Sequence, residues 1–245
     1  MRVLALLLPI LLTTGCAYLS TSNNTNKFVY QPPPISKELR DVLHAESRRV
    51  KSGTKNTALL RLDLQRLSDK GDPVAQFLFA MLFYKDEPRT KKQLLTQSAL
   101  GGCAGAAGIL GAELLSKGER KDGLMWIDYA AYEGDAAAQT LLADLYLKNE
   151  MDADDGKEHA YAWLRLAKRQ TYSSTQRAVV FIQLVNLKAA LSEEEISHAE
   201  IIYRRLEQKI GVMPEHPCGQ SAPYGDAEVS NHLKLYSSIR GVTMD

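Results

Sequence analysis

The 245-residue sequence lacks an excess of charge of either sign, because 30 Lys and Arg stand against 29 Asp and Glu and leave a formal net charge of +1. Without a basic field, no nucleic-acid partner is expected. The sequence also lacks the G-x-S-x-G, H-E-x-x-H and Walker-loop patterns of common active sites. It therefore predicts no enzyme activity, no catalytic residue and no cofactor, although a hydrolase site built from distant residues is the third alternative for its function.

Patterns that could hold a metal ion or a phosphate are also missing. The stretch "DADDG" at 152–156 is like the start of a calcium loop, but the sixth and twelfth places hold Lys157 and Trp163 instead of Gly and Glu. The glycines at 102, 105, 108 and 111 follow no strand, so close helix packing explains them better than a phosphate loop. No metal site is predicted, since no two of the five histidines lie four residues apart: His44, His159, His198, His216 and His232.

Near the N-terminus, a basic Arg2 precedes the apolar run "VLALLLPILL", which is too short for a permanent membrane span. The "TTGC" that ends at Cys16 resembles a bacterial lipobox, with Thr13 in a place where an aliphatic residue is usual. This resemblance implies a signal peptide over 1–15 and a lipid on Cys16, and Ala17 resembles the pattern for outer-membrane sorting. The chain is therefore expected at the periplasmic face of the outer membrane, touching the bilayer through its lipid alone. The alternative is an ordinary secretory signal with an incidental cysteine.

The next segment is polar and ends in three prolines, "AYLSTSNNTNKFVYQPPP" at 17–34. Such a composition cannot bury enough surface to fold, so residues 16–35 are predicted to be a disordered tether. Its reach is on the order of 25 Å. The prolines suit a stiff spacer better than a partner motif.

A twelve-residue pattern occurs three times: "GDPVAQFLFAML" from 71, "GCAGAAGILGAE" from 102 and "GDAAAQTLLADL" from 134. The copies are spaced 31 and 32 residues apart, and their apolar residues fall at i, i+3, i+4 and i+7, which is one face of a helix. Asp72 and Asp135 stand where an N-cap acceptor belongs, and Pro73 stands at a first helical position. The many glycines of the middle copy predict either a tight backbone contact or a distorted helix.

A second set of helices alternates with this one, in which Trp126 and Ala130 match Trp163 and Ala167. Paired helices with a period of 31–37 residues are typical of an α-solenoid. Ala-x-x-Leu in the first helix, Trp-x-x-x-Ala in the second and the turn at 133–135 resemble the Sel1-like repeats, which are related to tetratricopeptide repeats. The resemblance covers about 58–170 and implies an all-α, right-handed α-solenoid of stacked helix pairs, here predicted over 36–211.

Further helices are predicted on both sides of the repeats. Residues 36–51 form a short amphipathic helix, and residues 175–190 are apolar around much of their circumference and are predicted to be buried. A capping box of Ser192 and Glu195 opens a terminal helix that closes at Gly211. Residues 212–245 are rich in turn residues and are predicted to be an irregular tail, with one short helix near 226–238.

Apart from Cys16, the chain has two cysteines, Cys103 and Cys218. In an oxidising periplasm two remaining cysteines can pair. The alternative is that Cys103 is a small core residue and Cys218 a lone surface thiol. Both interpretations are open from the sequence alone.

Function is predicted from the surface that a solenoid leaves for a partner protein. The two tryptophans are better explained as core, and the predicted contacts are polar or aromatic residues beside the apolar stripe: Gln76, Phe83, Tyr84, Tyr132, Gln139, Tyr146 and Tyr161. Because Gln76 and Gln139 are equivalent in the repeat, one of them could serve the fold. The predicted function is a membrane-tethered scaffold or adaptor of an envelope assembly. The alternative, known among lipoproteins that resemble Sel1-repeat chains, is an immunity protein that occludes a periplasmic toxin such as a phospholipase effector.

Overall fold

The computed structural model describes residues 32–54, 56–84, 86–171 and 174–210, together with Cys218. These residues form helices and no strand. In chain order the helices are α1 Lys37–Lys51, α2 Thr57–Asp69, α3 Pro73–Phe83, α4 Pro88–Leu100, α5 Ala104–Ser116, α6 Arg120–Tyr132, α7 Ala136–Leu147, α8 Gly156–Gln170, α9 Ser174–Ala189 and α10 Glu193–Lys209.

The three sequence repeats correspond to the pairs α3–α4, α5–α6 and α7–α8, whose two helices pack against each other. Each pair also packs on the next through α4 with α5 and α6 with α7. Helices α1 and α2 extend the array at one end, while α9 and α10 both pack on α8 at the other. The prediction of an all-α solenoid of stacked helix pairs is confirmed. A continuous core runs through it from Leu39 on α1 to Leu206 on α10.

Aspartates begin the first and third repeat helices as the sequence predicts. The Asp72 Oδ1 accepts hydrogen bonds from the backbone N–H groups of Val74 and Ala75 at 3.0 and 2.9 Å. The Asp135 Oδ1 accepts one from Ala138 N–H at 2.8 Å. Each carboxylate satisfies amides that the first helical turn leaves without a partner.

The middle repeat begins differently, because Cys103 stands where the other copies have aspartate. Its side chain caps no amide of α5. Cys103 is instead joined to Cys218 in a disulfide with the two Cα atoms 5.0 Å apart. The carbonyl oxygen of Cys218 accepts a hydrogen bond from Gly105 N–H at 2.5 Å, so a residue 115 positions later takes over the capping of α5. Both cysteines are buried.

The glycines of the middle repeat mark a tight contact between α5 and α6, while α5 itself is a continuous helix. A Cβ added at Gly111 would lie 2.9 Å from both the carbonyl oxygen of Gly123 and the backbone nitrogen of Ile127. A Cβ added at Gly123 would lie 2.7 Å from the Leu115 side chain. Of the two explanations that the sequence leaves open, the close backbone approach is therefore the right one.

The prediction that the apolar stretch 175–190 is buried is wrong for most of α9. Phe181 is 48% and Ile182 58% exposed, and Val179 and Val185 are exposed as well. Helix α9 packs on α8 on one side, which buries Val180, and no other described helix covers its opposite side to a comparable extent. Apolar residues around the circumference of α9 therefore do not mean that other helices surround it.

Several predictions about the ends of the chain lie outside the described residues. They concern the signal peptide at 1–15, the lipid on Cys16, most of the tether at 16–35 and nearly all of the tail at 212–245. At the near edge of the described part, Ser36 caps α1 and its hydroxyl donates to the Asp72 carboxylate at 2.6 Å. At the far edge, the predicted capping box of Ser192 and Glu195 is present. Among the helices described, none is long and apolar enough to cross a membrane.

Candidate partner-binding cleft

Three of the seven residues predicted to contact a partner are buried. Gln76 and Gln139 each donate from their Nε2 to the carbonyl oxygen eight residues earlier, on Ser68 at 3.3 Å and on Ala131 at 3.0 Å. Both glutamines therefore fasten a repeat helix to the end of the helix before it, and neither offers a contact. Tyr161 is also buried. For these three residues the sequence prediction is wrong, since burial removes them from a partner's reach.

Phe83 and Tyr84 lie together at the start of the array. Both rings pack on Phe79, with centroids 5.8 and 4.9 Å away. The Arg61 guanidinium carbon lies 5.9 Å from the Phe83 centroid and 5.7 Å from the Tyr84 centroid. Arg61 of α2 thus supplies a cation to both aromatic faces, and neither residue lines the cleft that contains Tyr146.

The remaining two predicted residues, Tyr132 and Tyr146, line a cleft of about 310 Å³ between α6, α7, α8 and α10. We call it the α6–α10 cleft. Tyr132 is the last residue of α6 and is 44% exposed, while Tyr146 is half-buried near the end of α7. The cleft is lined by Asp128, Tyr132, Tyr146, Met151, Asp155, His159, Trp163, His198, Ile202, Arg205, Leu206 and Lys209.

Ring contacts fix both tyrosines from the side of α8. Tyr132 meets the buried Trp163 edge to face, with centroids 5.4 Å apart and planes at 89°. Tyr146 stacks on His159, with centroids 4.8 Å apart and planes at 16°. Trp163 is therefore core, as predicted, and it also supports an aromatic residue of the cleft. Held in this way, the tyrosines lose little further freedom on binding.

Two histidines meet around Asp155 on the α8 side of the cleft. The His159 Nδ1 lies 3.1 Å from the Asp155 Oδ1. The His198 Nδ1, from α10, lies 3.9 Å from the Asp155 Oδ2 and 4.0 Å from the Glu158 Oε1. Asp155 therefore orients the imidazole on which Tyr146 stacks, and α10 completes the arrangement. The "DADDG" stretch thus contributes one of its carboxylates to the cleft.

Asp128 stands on α6, one helical turn before Tyr132, and is half-buried. No described residue forms a hydrogen bond or an ion pair with its carboxylate. Burial raises the pKa of Asp128 above its ordinary value. The pKa of Tyr132 is raised by burial and then by the Asp128 charge, and that of Tyr146 by burial and then by the Asp128, Tyr132 and Asp155 groups. Both phenols therefore stay protonated at neutral pH.

Helix α10 forms the opposite wall and carries exposed Arg205 and Lys209 at the rim. Two arginines of α8 hold this helix in place, Arg165 by an ion pair with Glu200 and Arg169 by one with Glu207. Sequence analysis missed Asp128 and the whole α10 wall. Asp128 lies four residues before Tyr132 and so shares one face of α6 with it, which could have indicated Asp128 as a neighbour of the predicted contact. Helix α10 lies outside the repeat, so repeat spacing gave no signal for it.

The cleft offers two supported aromatic rings, apolar side chains from Met151, Ile202 and Leu206, and charged groups from α6 and α10. Within the described ranges, no group of three or more His, Cys, Asp or Glu is arranged to hold a metal ion.

No family model and no curated protein matches the chain. Among solved structures it is similar to the crystal structure of a protective antigen present in uropathogenic Escherichia coli strains, described as displaying an SLR fold. The identity is 16%, the TM-score is 0.46, and the match covers 85% of this chain and 48% of that one. This chain spans about half the length of that protein.

Proposed function

We propose that the chain is a protein-binding module that takes up its partner in the α6–α10 cleft. The observation that carries the proposal is the pair of preplaced tyrosines, of which Tyr132 is 44% exposed, in a cleft between four helices that apolar side chains also line. Tyrosine is enriched among the residues that dominate binding energy, because it gives a large contact area for few rotatable bonds. The volume lies at the lower end of the range for ligand pockets, about 300–1,000 Å³, and suits anchoring side chains of a protein.

We further propose that a lipid on Cys16 holds this module at the periplasmic face of the outer membrane, where it is a scaffold or adaptor in an envelope assembly. The support is the "TTGC" that ends at Cys16 and the polar, proline-ended stretch after it. A tether of this kind keeps the module within a thin layer and raises its effective concentration for partners there. Cys16→Ala is expected to move the protein from the membrane fraction to the soluble periplasm, and unchanged fractionation would contradict the anchor.

The cleft is tested with a double variant, Tyr132→Ala with Tyr146→Ala, against a partner captured by cross-linking in cells. Truncating true anchors is expected to cost about 2 kcal/mol or more of binding free energy, which is about a 30-fold rise in Kd. Tyr84→Ala is the matched control, since it removes a half-buried tyrosine that lies against Phe79 and Arg61 and not in the cleft. Circular dichroism and thermal melts establish that all variants are folded.

An unchanged affinity of the double variant would contradict the cleft, and the segment 212–245 would then be the next surface to test. The identity of the captured protein separates two roles. An envelope component supports the scaffold, whereas a periplasmic toxin, with its activity lost on binding, supports an immunity protein that works by occlusion.

A further inference from the structure

The two walls of the α6–α10 cleft differ in charge, and the α6 wall carries the less usual feature. Asp128 is a half-buried carboxylate without a hydrogen-bonding or ion-pairing partner among the described residues. Burying an ionised group without a partner is unfavourable. A carboxylate perturbed by burial and lining a cleft is a candidate for contact with a ligand.

The Asp128 carboxylate has no cation close enough to lower its pKa, because burial is the only cause of its shift. The pKa of Tyr146 beside it is raised by burial and then by Asp128, Tyr132 and Asp155, and no basic side chain lowers it. Arg205 and Lys209 therefore stand at the rim without neutralising the aromatic part of the cleft. A cation that enters between α6 and α7 would meet an uncompensated carboxylate.

Other tyrosines of this chain show what is missing here. The Arg61 guanidinium carbon lies 5.7 Å from the Tyr84 centroid, and that of Arg165 lies 3.9 Å from the Tyr203 centroid. A cation within about 6 Å of an aromatic centroid is attracted to the face of the ring. Neither Tyr132 nor Tyr146 has a lysine or arginine in such a position within the described part of the chain.

From this charge complementarity we infer that the α6–α10 cleft receives an arginine or lysine side chain of the partner protein, paired with the Asp128 carboxylate and lying against Tyr132. This inference rests on the proposed function and specifies the partner's chemistry. The cation would complete the arrangement that Arg61 provides for Tyr84 within the chain. Trp163 and His159 keep the two tyrosines in place, so the cation finds a site that is already formed.

The test uses a phage-displayed library of random twelve-residue peptides panned on the purified full mature chain. The expected result is enrichment of peptides with a recurring arginine or lysine. One such peptide is then synthesised in two forms, the second with citrulline in place of arginine or norleucine in place of lysine. Calorimetry measures the Kd of both forms for the wild type and for Asp128→Asn.

Asp128→Asn and the neutral peptide are each expected to weaken binding at least tenfold, and combining them should cause no further loss, since both remove one pair. Glu133→Gln is the matched control. Glu133 is another half-buried carboxylate whose pKa is raised by burial, but it does not line the cleft, so this variant should bind as the wild type does.

Three results would overturn the inference. They are enrichment of peptides rich in Asp and Glu, an affinity that Asp128→Asn leaves unchanged, or losses of binding free energy from Asp128→Asn and from the neutral peptide that add when the two changes are combined. The Tyr132→Ala, Tyr146→Ala variant separates this failure from that of the proposed function. If it loses peptide binding while Asp128→Asn does not, the cleft binds protein without a cation. If it retains full affinity for the peptide, the cleft is not the site at which the peptide binds.

Discussion

The contact between α5 and α6 allows a quantitative test by Gly111→Ala. In a helix that merely tolerates glycine, alanine would stabilise by about 1 kcal/mol through its higher helix propensity. Here the new methyl group would stand 2.9 Å from the Gly123 carbonyl oxygen, 2.9 Å from the Ile127 backbone nitrogen and 2.8 Å from the Ile127 Cγ1. Two of these three atoms belong to the backbone and cannot rotate away, so the two helices must move apart.

Overpacking of a core costs about 1–3 kcal/mol, and the backbone contacts place Gly111→Ala in the upper part of that range. After the gain in helix propensity, the free energy of unfolding should fall by about 1–2 kcal/mol. Urea unfolding followed by circular dichroism measures it, with the midpoint shifted and the slope unchanged.

Gly108→Ala on the same helix is the control. Its added Cβ would lie 3.3 Å from the Asp135 Oδ1 and 3.6 Å from the Ala130 Cβ, both side-chain atoms, so its stability should stay within about 1 kcal/mol of the wild type. If Gly111→Ala proved as stable as the wild type or more stable, the helices would not be as close as described, and the reason given for the glycines would be refuted.

Three further predictions concern the core, the cleft and the disulfide. Leu142→Ala should lower the free energy of unfolding by about 2–5 kcal/mol because Leu142 is fully buried on α7. Leu147→Ala changes a residue on the same helix that is 42% exposed, so it should lower that free energy far less in the same urea titration. Equal losses in the two variants would contradict the packing. The raised pKa of Asp128 means that its ionised form opposes folding at neutral pH. Asp128→Asn should therefore raise Tm at neutral pH, and this gain should vanish as the pH falls through the Asp128 pKa. A lower Tm of the variant at neutral pH would show that the carboxylate has an unrecognised partner. The mature protein, denatured without reductant, should show no free thiol, and reduction of the Cys103–Cys218 bridge should cost on the order of 4–5 kcal/mol in the chain-entropy model, whereas two reactive thiols would contradict the bridge.

The helices of the repeats could be predicted from the sequence because their signals are local. Asp72 and Asp135 are caps within three residues of the amides that they satisfy, and the capping box of Ser192 and Glu195 is equally short-range. Periodicity likewise placed Leu142 in the core. For the caps, the partner lies within one turn along the chain.

The predictions that failed depended on how one helix packs against another. Phe181 and Ile182 are exposed because no described helix other than α8 covers α9 to a comparable extent. A helical pattern in the sequence does not reveal whether a second helix is present. Gln76 and Gln139 were predicted to contact a partner because both are polar, but each donates a hydrogen bond to a backbone carbonyl oxygen at the end of the preceding helix.

The cleft could be predicted only in part for the same reason. Tyr132 and Tyr146 come from adjacent helices, and their positions beside the apolar stripe indicated a surface. The pKa of Asp128 is raised by burial, which the sequence does not show. His198 lies near the cleft because α10 approaches Asp155, which is 43 residues earlier in the sequence. Repeat spacing carries no information on a helix outside the repeat, so the second wall became known only from the structure.

Site-specific photo-cross-linking in cells tests directly whether the α6–α10 cleft is the partner-binding surface. A photoreactive phenylalanine analogue at the position of Tyr132 is compared with the same analogue at Leu62, which is 63% exposed on α2 and outside the cleft. One dominant cross-linked protein is expected from position 132, lost on adding Tyr146→Ala, and none from position 62. Cross-linking of the partner from position 62 but not from 132 would contradict it.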